Sequence, residues 1–72
     1  MLGTVLKLKG RTKESLVAHQ KAVQLDLQDS QAHNNLGTIL KELDRLNEAE
    51  TSYRKAIVLK PDYAEAHKNL FK

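Results

Sequence analysis

The feature that most constrains this chain is an internal repeat with a period of 34 residues. Shifted by that distance, residues 2–29 align with residues 36–63 without a gap and with ten identities. The densest group of identities lies at the start, where Leu2, Gly3, Thr4, Leu6 and Lys7 recur as Leu36, Gly37, Thr38, Leu40 and Lys41. A second shift carries Ala32, His33, Asn35 and Leu36 onto Ala66, His67, Asn69 and Leu70. Such a period is typical of proteins built from stacked copies of one supersecondary unit.

Within each period the apolar residues step by three and four, which predicts two helices joined by a tight turn. Gly10 and Asp44 stand at the equivalent place between the two helices, where a left-handed turn residue is needed. Asp29 or Ser30 can cap the helix that follows, Asp62 can cap the last helix, and Pro61 fits a boundary between repeats. The sequence therefore predicts helices near residues 1–9, 12–26, 30–43, 46–59 and 63–71.

Small residues recur where two helices would meet. Gly37 and Ala49 are paired by the turn between them and would let the two helices approach closely, and Ala56 would do the same for the next helix. A large side chain at Gly37 would overpack this contact, at a cost of about 1–3 kcal/mol.

The period and the residues Leu36, Gly37, Leu40, Ala49, Tyr53, Ala56 and Pro61 resemble the tetratricopeptide repeat pattern. The resemblance covers the whole chain. The repeats are similar to those of bacterial tetratricopeptide proteins and of the O-linked N-acetylglucosamine transferase superhelix. It implies an all-α fold, a right-handed α-solenoid of about five helices. We interpret residues 1–29 as a repeat that lacks its opening five residues, 30–63 as a complete repeat, and 64–72 as the start of a third repeat or a capping helix. Three positions depart from the pattern: Leu27 replaces the proline, Ser15 the small alanine, and Phe71 the glycine at position 37.

Composition excludes several classes of protein. The chain has 72 residues, no cysteine and a net charge of +3, so disulfides and thiolate metal sites are ruled out. No apolar run approaches the roughly 20 residues of a membrane span, and the N-terminus lacks the pattern of a secretory signal. We expect a cytoplasmic protein. The lysine excess is interpreted as a solvated helical surface, since three aromatic residues offer little to stack on nucleic acid.

No catalytic constellation is found, so the sequence predicts a protein that is not an enzyme and has no cofactor. His33 and His67 recur at one repeat position and His19 lies elsewhere, but no pair has zinc-ligand spacing. A role for His33 and His67 in packing or at the surface is favoured over a metal site. The serines have no nucleophile elbow, and no glycine-rich phosphate loop is present.

The resemblance implies that the first helix of each repeat lines a concave groove. Leu36 and Leu40 define the buried stripe of that helix, so Asn35, Thr38, Lys41 and Glu42 are expected to project away from it. The predicted groove residues are Thr4, Lys7, Gln31, Asn34, Asn35, Thr38, Lys41, Glu42, Glu65, Lys68, Asn69 and Lys72. Stacking of the helices would place Asn35 beside Asn69, Thr4 beside Thr38, and Lys7 beside Lys41.

A row of amides can hold the backbone of an extended peptide, because each amide carries both donors and an acceptor. Asn35 and Asn69 match the asparagine ladder of the transferase superhelix, and Met1 occupies the third position. The family's carboxylate clamp is disfavoured, because Glu65 and Asn69 stand where its cations are expected.

The leading hypothesis is a non-catalytic module that binds an extended peptide or partner protein in the groove. The alternatives are a structural scaffold that self-associates through exposed solenoid ends, and a substrate-recruiting fragment of a larger transferase with tetratricopeptide repeats. No membrane or metal partner is expected, and nucleic acid ranks last among the hypotheses.

Overall fold

The computed structural model describes the backbone of residues 2–71 and the side chains of residues 12–71. Four helices follow one another along this part of the chain: α1 (Leu2–Leu25), α2 (Ser30–Glu42), α3 (Leu46–Leu59) and α4 (Ala64–Leu70). Each helix packs against the next one in sequence, and α2 and α3 form the most extensive pair. The predicted all-α repeat architecture is confirmed. None of the helices in the described part of the chain is both long and apolar enough to cross a membrane.

The first helix corrects the sequence prediction. Helices were expected near 1–9 and 12–26 with a turn at Gly10, but α1 continues through Gly10 as one helix of 24 residues. A glycine inside a helix costs only about 1 kcal/mol relative to alanine, so its presence does not force a turn. The residue that would pack between the two halves of a hairpin also differs from the one in the next repeat. His19 stands where Tyr53 does one repeat later, and its Nδ1 donates to the carbonyl of Ser15 on its own helix, at 2.7 Å.

The hairpin of α2 and α3 follows the predicted bounds closely, because both of its turns are specified locally. Asp29 is the N-cap of α2, and its carboxylate accepts a hydrogen bond from the amide of Ala32 at 3.2 Å. At the other end Asp44 adopts a left-handed conformation with φ of 61°. The amide of Arg45 donates to the carbonyl of Leu40 at 2.9 Å, and that of Asp44 to Lys41 at 3.0 Å. This is the bonding pattern of a Schellman motif, which satisfies the last carbonyls of α2.

The hydrophobic core lies between α2 and α3 and is closed by α1 on one side. Leu16, Leu40, Ala49 and Tyr53 form its buried cluster. Leu36, Ile39, Leu43 and Leu70 pack against this cluster and are partly buried. The predicted stripe at Leu36 and Leu40 is therefore the face of α2 that turns toward the core.

Small residues allow the helices to approach, as predicted. A Cβ atom placed on Gly37 would lie 2.7 Å from Cε1 of Tyr53, which is shorter than any van der Waals contact. Ala49 is 3% exposed, and Ala56 on α3 and Ala66 on α4 are completely buried. Gly37 has no room for a side chain, and the three alanines are buried at the contacts between helices, so these positions influence how closely the helices pack.

The loop before α4 contains Pro61, which confirms the predicted boundary after α3. The expectation that Asp62 caps the last helix is wrong, because Tyr63 occupies the N-cap position and no side chain caps α4 there. Lys60 instead places its ammonium group 5.1 Å from the centre of the Tyr63 ring. This cation–π contact and Pro61 order the loop between α3 and α4.

Candidate functional site

The predicted groove residues fall into three groups by exposure. Those with exposed side chains are Gln31, Asn35, Glu42, Glu65 and Lys68. Thr38, Lys41 and Asn69 are half-buried, whereas Asn34 is only 1% exposed. The side chains of Thr4 and Lys7, and the whole of Lys72, lie outside the described residues. The groove residues therefore divide into a solvated set and a set that takes part in packing.

Thr38 belongs to the packing between helices, and the expectation that it projects away from the buried face is wrong. Its hydroxyl donates to the carbonyl of Asn34 at 3.2 Å and lies 3.0 Å from the hydroxyl of Tyr53. The physical reason is the neighbouring Gly37. Because the Tyr53 ring lies against that glycine, the phenol oxygen reaches the next residue of α2.

Asn34 forms the polar link between α2 and α4. Its Oδ1 accepts a hydrogen bond from Nδ2 of Asn69 at 3.2 Å, and its side chain also hydrogen-bonds the hydroxyl of Tyr63. Asn69 was expected beside Asn35, and the structure pairs it with Asn34 instead. Residues at the same repeat position point in the same direction on successive helices. A contact needs the side of α2 that faces α4, and that side carries Asn34.

The hydroxyl of Tyr63 is influenced by several neighbours. Partial burial raises the pKa of Tyr63, and the nearby carboxylate of Glu65 raises it further. The hydrogen bond from Asn34 acts in the opposite direction, and Asp29 adds to the increase. Tyr63 therefore remains protonated to a higher pH than an exposed tyrosine.

Lys41 and Asn69 come together in one cleft, which we call the front cleft. Its other lining residues are Leu46, Ala49, Glu50, Tyr53 and Leu70, and its volume is about 210 Å³. Two predicted groove residues, Lys41 on α2 and Asn69 on α4, thus line the same cleft together with apolar side chains. The sequence reasoning missed Leu46, Glu50 and Leu70. Leu46 carried a signal, since it is a large apolar side chain at the start of α3, where it is 59% exposed.

The two recurring histidines make the same hydrogen bond in successive repeats. Nε2 of His33 donates to the carbonyl of Leu27 at 3.1 Å, and Nε2 of His67 donates to the carbonyl of Pro61 at 2.8 Å. Leu27 and Pro61 are themselves 34 residues apart. The prediction left packing and surface roles open: His33 is buried and His67 is half-buried, and each binds a carbonyl of the loop that precedes its helix. Within the described residues, no three His, Asp or Glu side chains are grouped as a metal site requires.

Two wider clefts that the sequence reasoning missed lie along the exposed side of α3 and share Arg54 and Val58, and the second also shares Glu50 and Leu70 with the front cleft. One, of about 480 Å³, runs between α3 and the loop around Leu27. The other, of about 600 Å³, lies between α3 and α4 and includes Phe71. Their apolar residues are exposed because no further helix of the described chain covers this side of α3.

Comparison with known proteins agrees with this architecture. Residues 30–63 match the family described as tetratricopeptide repeat, and they coincide with α2, the Asp44 turn and α3. A search of curated proteins finds no match to the chain. Repeats of this family are in general non-catalytic protein–protein interaction modules. Residues 30–63 of this chain therefore resemble one tetratricopeptide repeat.

Proposed function

We propose that this chain binds an extended segment of a partner protein along the surface formed by α2, α3 and α4, with the front cleft as its centre. The observation that supports this most directly is the position of Lys41 and Asn69 in a single cleft. The two residues lie on different helices of the fold. The binding of a ligand that contacts both therefore depends on how successive repeats are placed relative to each other.

The chemistry of the front cleft suits a peptide. An amide side chain has two N–H donors and an oxygen with two lone pairs, and Asn69 uses one donor on Asn34. That bond orients the Asn69 amide and leaves its remaining capacity for a ligand. A backbone peptide unit presents one donor and one acceptor, which such an amide can pair simultaneously. Because the amide is already oriented, less conformational entropy is lost on binding.

The neighbouring groups would select the side chains of the ligand. Lys41 can donate to a carboxylate or carbonyl, while Leu46 and Leu70 offer an apolar surface. Asn35 and Glu42 on α2 and Lys68 on α4 are exposed, and they belong to the predicted groove. Charges of both signs are present, so the partner is expected to be polar at its rim and apolar at its centre.

A binding experiment with matched variants tests the proposal. Peptides are selected from a displayed random-sequence library against the native chain, and their Kd values are measured by fluorescence anisotropy. Lys41→Ala/Asn69→Ala should weaken binding at least about tenfold. Lys13→Ala/Gln20→Ala is the control, since it removes the same two functional groups from exposed positions on α1. Equal affinity of the two double variants would refute the role of the front cleft.

Two further measurements separate binding from stability and test recognition of the backbone. Lys41→Glu reverses a charge without touching the bond between Asn34 and Asn69, so its effect on binding is independent of that link. Asn35→Ala changes an exposed amide of the predicted asparagine ladder. If the ligand backbone is recognised there, this variant and N-methylation of the peptide should each weaken binding. No loss with either change would exclude a ladder at Asn35.

A further inference from the structure

The cleft between α3 and the loop around Leu27, which we call the back cleft, carries exposed apolar side chains. Its volume is about 480 Å³, and Leu27, Val58 and Leu59 are among the residues that line it. Leu27 is 61% exposed and Val58 is 78% exposed. None of its lining residues lines the front cleft, so the two clefts are separate surfaces. Large apolar side chains grouped in an exposed cleft are typical of a surface that binds another molecule.

The two most exposed of these residues are not specified by the repeat. One period away, Pro61 stands where Leu27 does, and Gln24 stands where Val58 does. A proline has a smaller apolar side chain than leucine, and glutamine is polar. The apolar surface of the back cleft is therefore an addition to the repeat pattern.

The turn at Leu27 does not need a leucine. The amide of Leu27 donates no hydrogen bond within the described part of the chain, so a proline there would lose none. Its carbonyl accepts from His33, as the carbonyl of Pro61 accepts from His67. The isobutyl group of Leu27 serves neither the turn nor this bond, and it remains available for contact with a ligand.

Stacking of repeats does not cover the back cleft. On α1, the residues equivalent to Lys55 and Val58 of α3 are Lys21 and Gln24. Both are exposed although α2 and α3 already follow α1 in the stack. A repeat placed after α4 in the same way would leave Lys55 and Val58 exposed as well. The molecule that fills the back cleft is therefore not a further helix of the stack.

The polar groups of the back cleft are complementary to a carboxylate. Among the described residues, none that lines this cleft is acidic. Lys55 forms no ion pair with another described residue, and no acid lies three or four positions from it on α3. Arg54 is already paired with Glu50 at 2.6 Å, and the hydroxyl of Thr51 donates to its own helix. The charge that a ligand meets in the back cleft is thus the ammonium group of Lys55.

We propose that the back cleft binds an acidic amphipathic segment of a partner protein. Apolar side chains of that segment pack between Leu27 and Val58, and one of its carboxylates pairs with Lys55. A protein segment suits the cleft better than a small anionic amphiphile, because a ligand has to extend beyond the cleft to remove two such exposed side chains from water. The interaction joins an apolar contact to a charge that selects the partner.

The probe is an alanine-based helical peptide that carries leucine and glutamate three and four residues apart along one face. The matched peptide has lysine in place of each glutamate. Binding to the native chain is followed by ¹⁵N-HSQC spectra. The glutamate peptide should bind at least about tenfold more tightly, with shifts at Lys55 and Val58. Lys55→Glu should reverse the order of the two peptides. Lys21→Glu makes the same change of net charge at an exposed position outside the cleft and should keep the order.

Two further variants test the apolar half of the cleft by installing the residues of the other repeat. Leu27→Pro should weaken binding of the glutamate peptide about tenfold. Its free energy of unfolding in urea should not fall, because the equivalent turn already contains Pro61. Val58→Gln, on the exposed side of α3, should weaken binding without changing the turn.

Several outcomes would overturn the proposal. They are equal binding of the two peptides, binding of neither, an order that Lys55→Glu keeps or that Lys21→Glu also reverses, or full affinity in both Leu27→Pro and Val58→Gln. A dimer in sedimentation of the chain alone that Leu27→Pro abolishes would make a second copy the occupant. Shifts with decanoate and none with the peptides would make it a small amphiphile. Lys41→Ala/Asn69→Ala should leave binding at the back cleft unchanged, so failure here and failure of the front cleft are told apart.

Discussion

The ring of Tyr53 fills the space in which a side chain at Gly37 would lie. Three atoms of the ring are within 3.0 Å of the position that a Cβ on Gly37 would take, and the nearest is at 2.7 Å. The same ring brings its hydroxyl to 3.0 Å from that of Thr38. The contact of Tyr53 with Gly37 and Thr38 therefore sets both the distance and the register between α2 and α3.

Gly37→Ala should lower the free energy of unfolding by about 1–3 kcal/mol, because the new methyl group overlaps the Tyr53 ring. Urea denaturation followed by circular dichroism measures the change. Asn35→Ala, at an exposed position of the same helix, serves as the control and should change stability little. Adding Tyr53→Leu to Gly37→Ala should recover part of the loss. An alanine at 37 that stabilises the chain, as helix propensity alone would have it do, would contradict the close contact.

The hydrogen bond between Thr38 and Tyr53 can be measured with a double-mutant cycle. Tyr53→Phe and Thr38→Val each remove one hydroxyl while keeping the shape of the side chain. The coupling free energy between them should be about 0.5–1.5 kcal/mol, the usual net value of such a bond. Strictly additive effects of the two substitutions would show that the hydroxyl groups do not interact.

The two histidines should differ in their contribution to stability although they make equivalent bonds. Replacing His33 by Phe keeps an aromatic ring, although a larger one, but removes the N–H that binds the carbonyl of Leu27, at a site 4% exposed. A loss of about 1–2 kcal/mol is expected, because this part-buried hydrogen bond is lost and the phenyl ring in place of the imidazole offers the carbonyl no donor. His67→Phe should cost less, since water can replace the donor at that more open site. Equal losses in thermal or urea unfolding would argue against burial as the deciding factor.

Tyr63 should titrate above the usual tyrosine value of about 10. Spectrophotometric titration in a Tyr53→Phe background isolates its signal. Glu65→Gln should lower the pKa of Tyr63, and Asn34→Ala should raise it, because the carboxylate and the hydrogen bond act in opposite directions. Since the folded-state pKa is raised, the native chain binds this proton more tightly than the unfolded chain. The stabilisation is thus complete below about pH 10 and is lost as the pH rises through the folded-state value. Titration of Tyr63 at or below pH 10 would contradict the environment described.

Gly10 distinguishes a continuous α1 from a hairpin. Inside a helix, Gly10→Ala should raise the free energy of unfolding by about 0.5–1 kcal/mol. In a left-handed turn the same change would lower it, because an L-residue pays about 1–2 kcal/mol there. Asp44→Ala, in the turn with φ of 61°, is the control and should be destabilising. A destabilising Gly10→Ala would restore the turn that the repeat pattern predicts.

Much of the fold could be predicted from the sequence because its signals are local. The bounds of α2 and α3, the cap at Asp29 and the left-handed Asp44 follow from spacing, side-chain chemistry and backbone sterics within a few residues. The packing role of Gly37 could also be predicted, and so could a packing or surface role for the recurring histidines, since a repeat must present the same contact each time. The family of residues 30–63 follows from these same positions.

The candidate site was less predictable, because exposure is a property of the packed helices. Asn34 and Asn35 are neighbours with the same side chain, yet one is buried against α4 and the other is exposed. The sequence predicts Thr38 at the surface, but Tyr53 on another helix brings its hydroxyl next to that of Thr38. No local pattern contains these contacts.

The sequence by itself determined the period, the helix types, the turn at Asp44 and the small residues that let α2 and α3 meet. Those properties depend on periodicity and on the conformational limits of single residues. Only the tertiary structure decided that α1 runs through Gly10, that Asn69 pairs with Asn34, and that Lys41 and Asn69 share a cleft. The reason is physical, because these outcomes depend on which side of one helix faces another. A repeat pattern specifies the direction in which each side chain leaves its helix, but not the residue of another helix that it contacts.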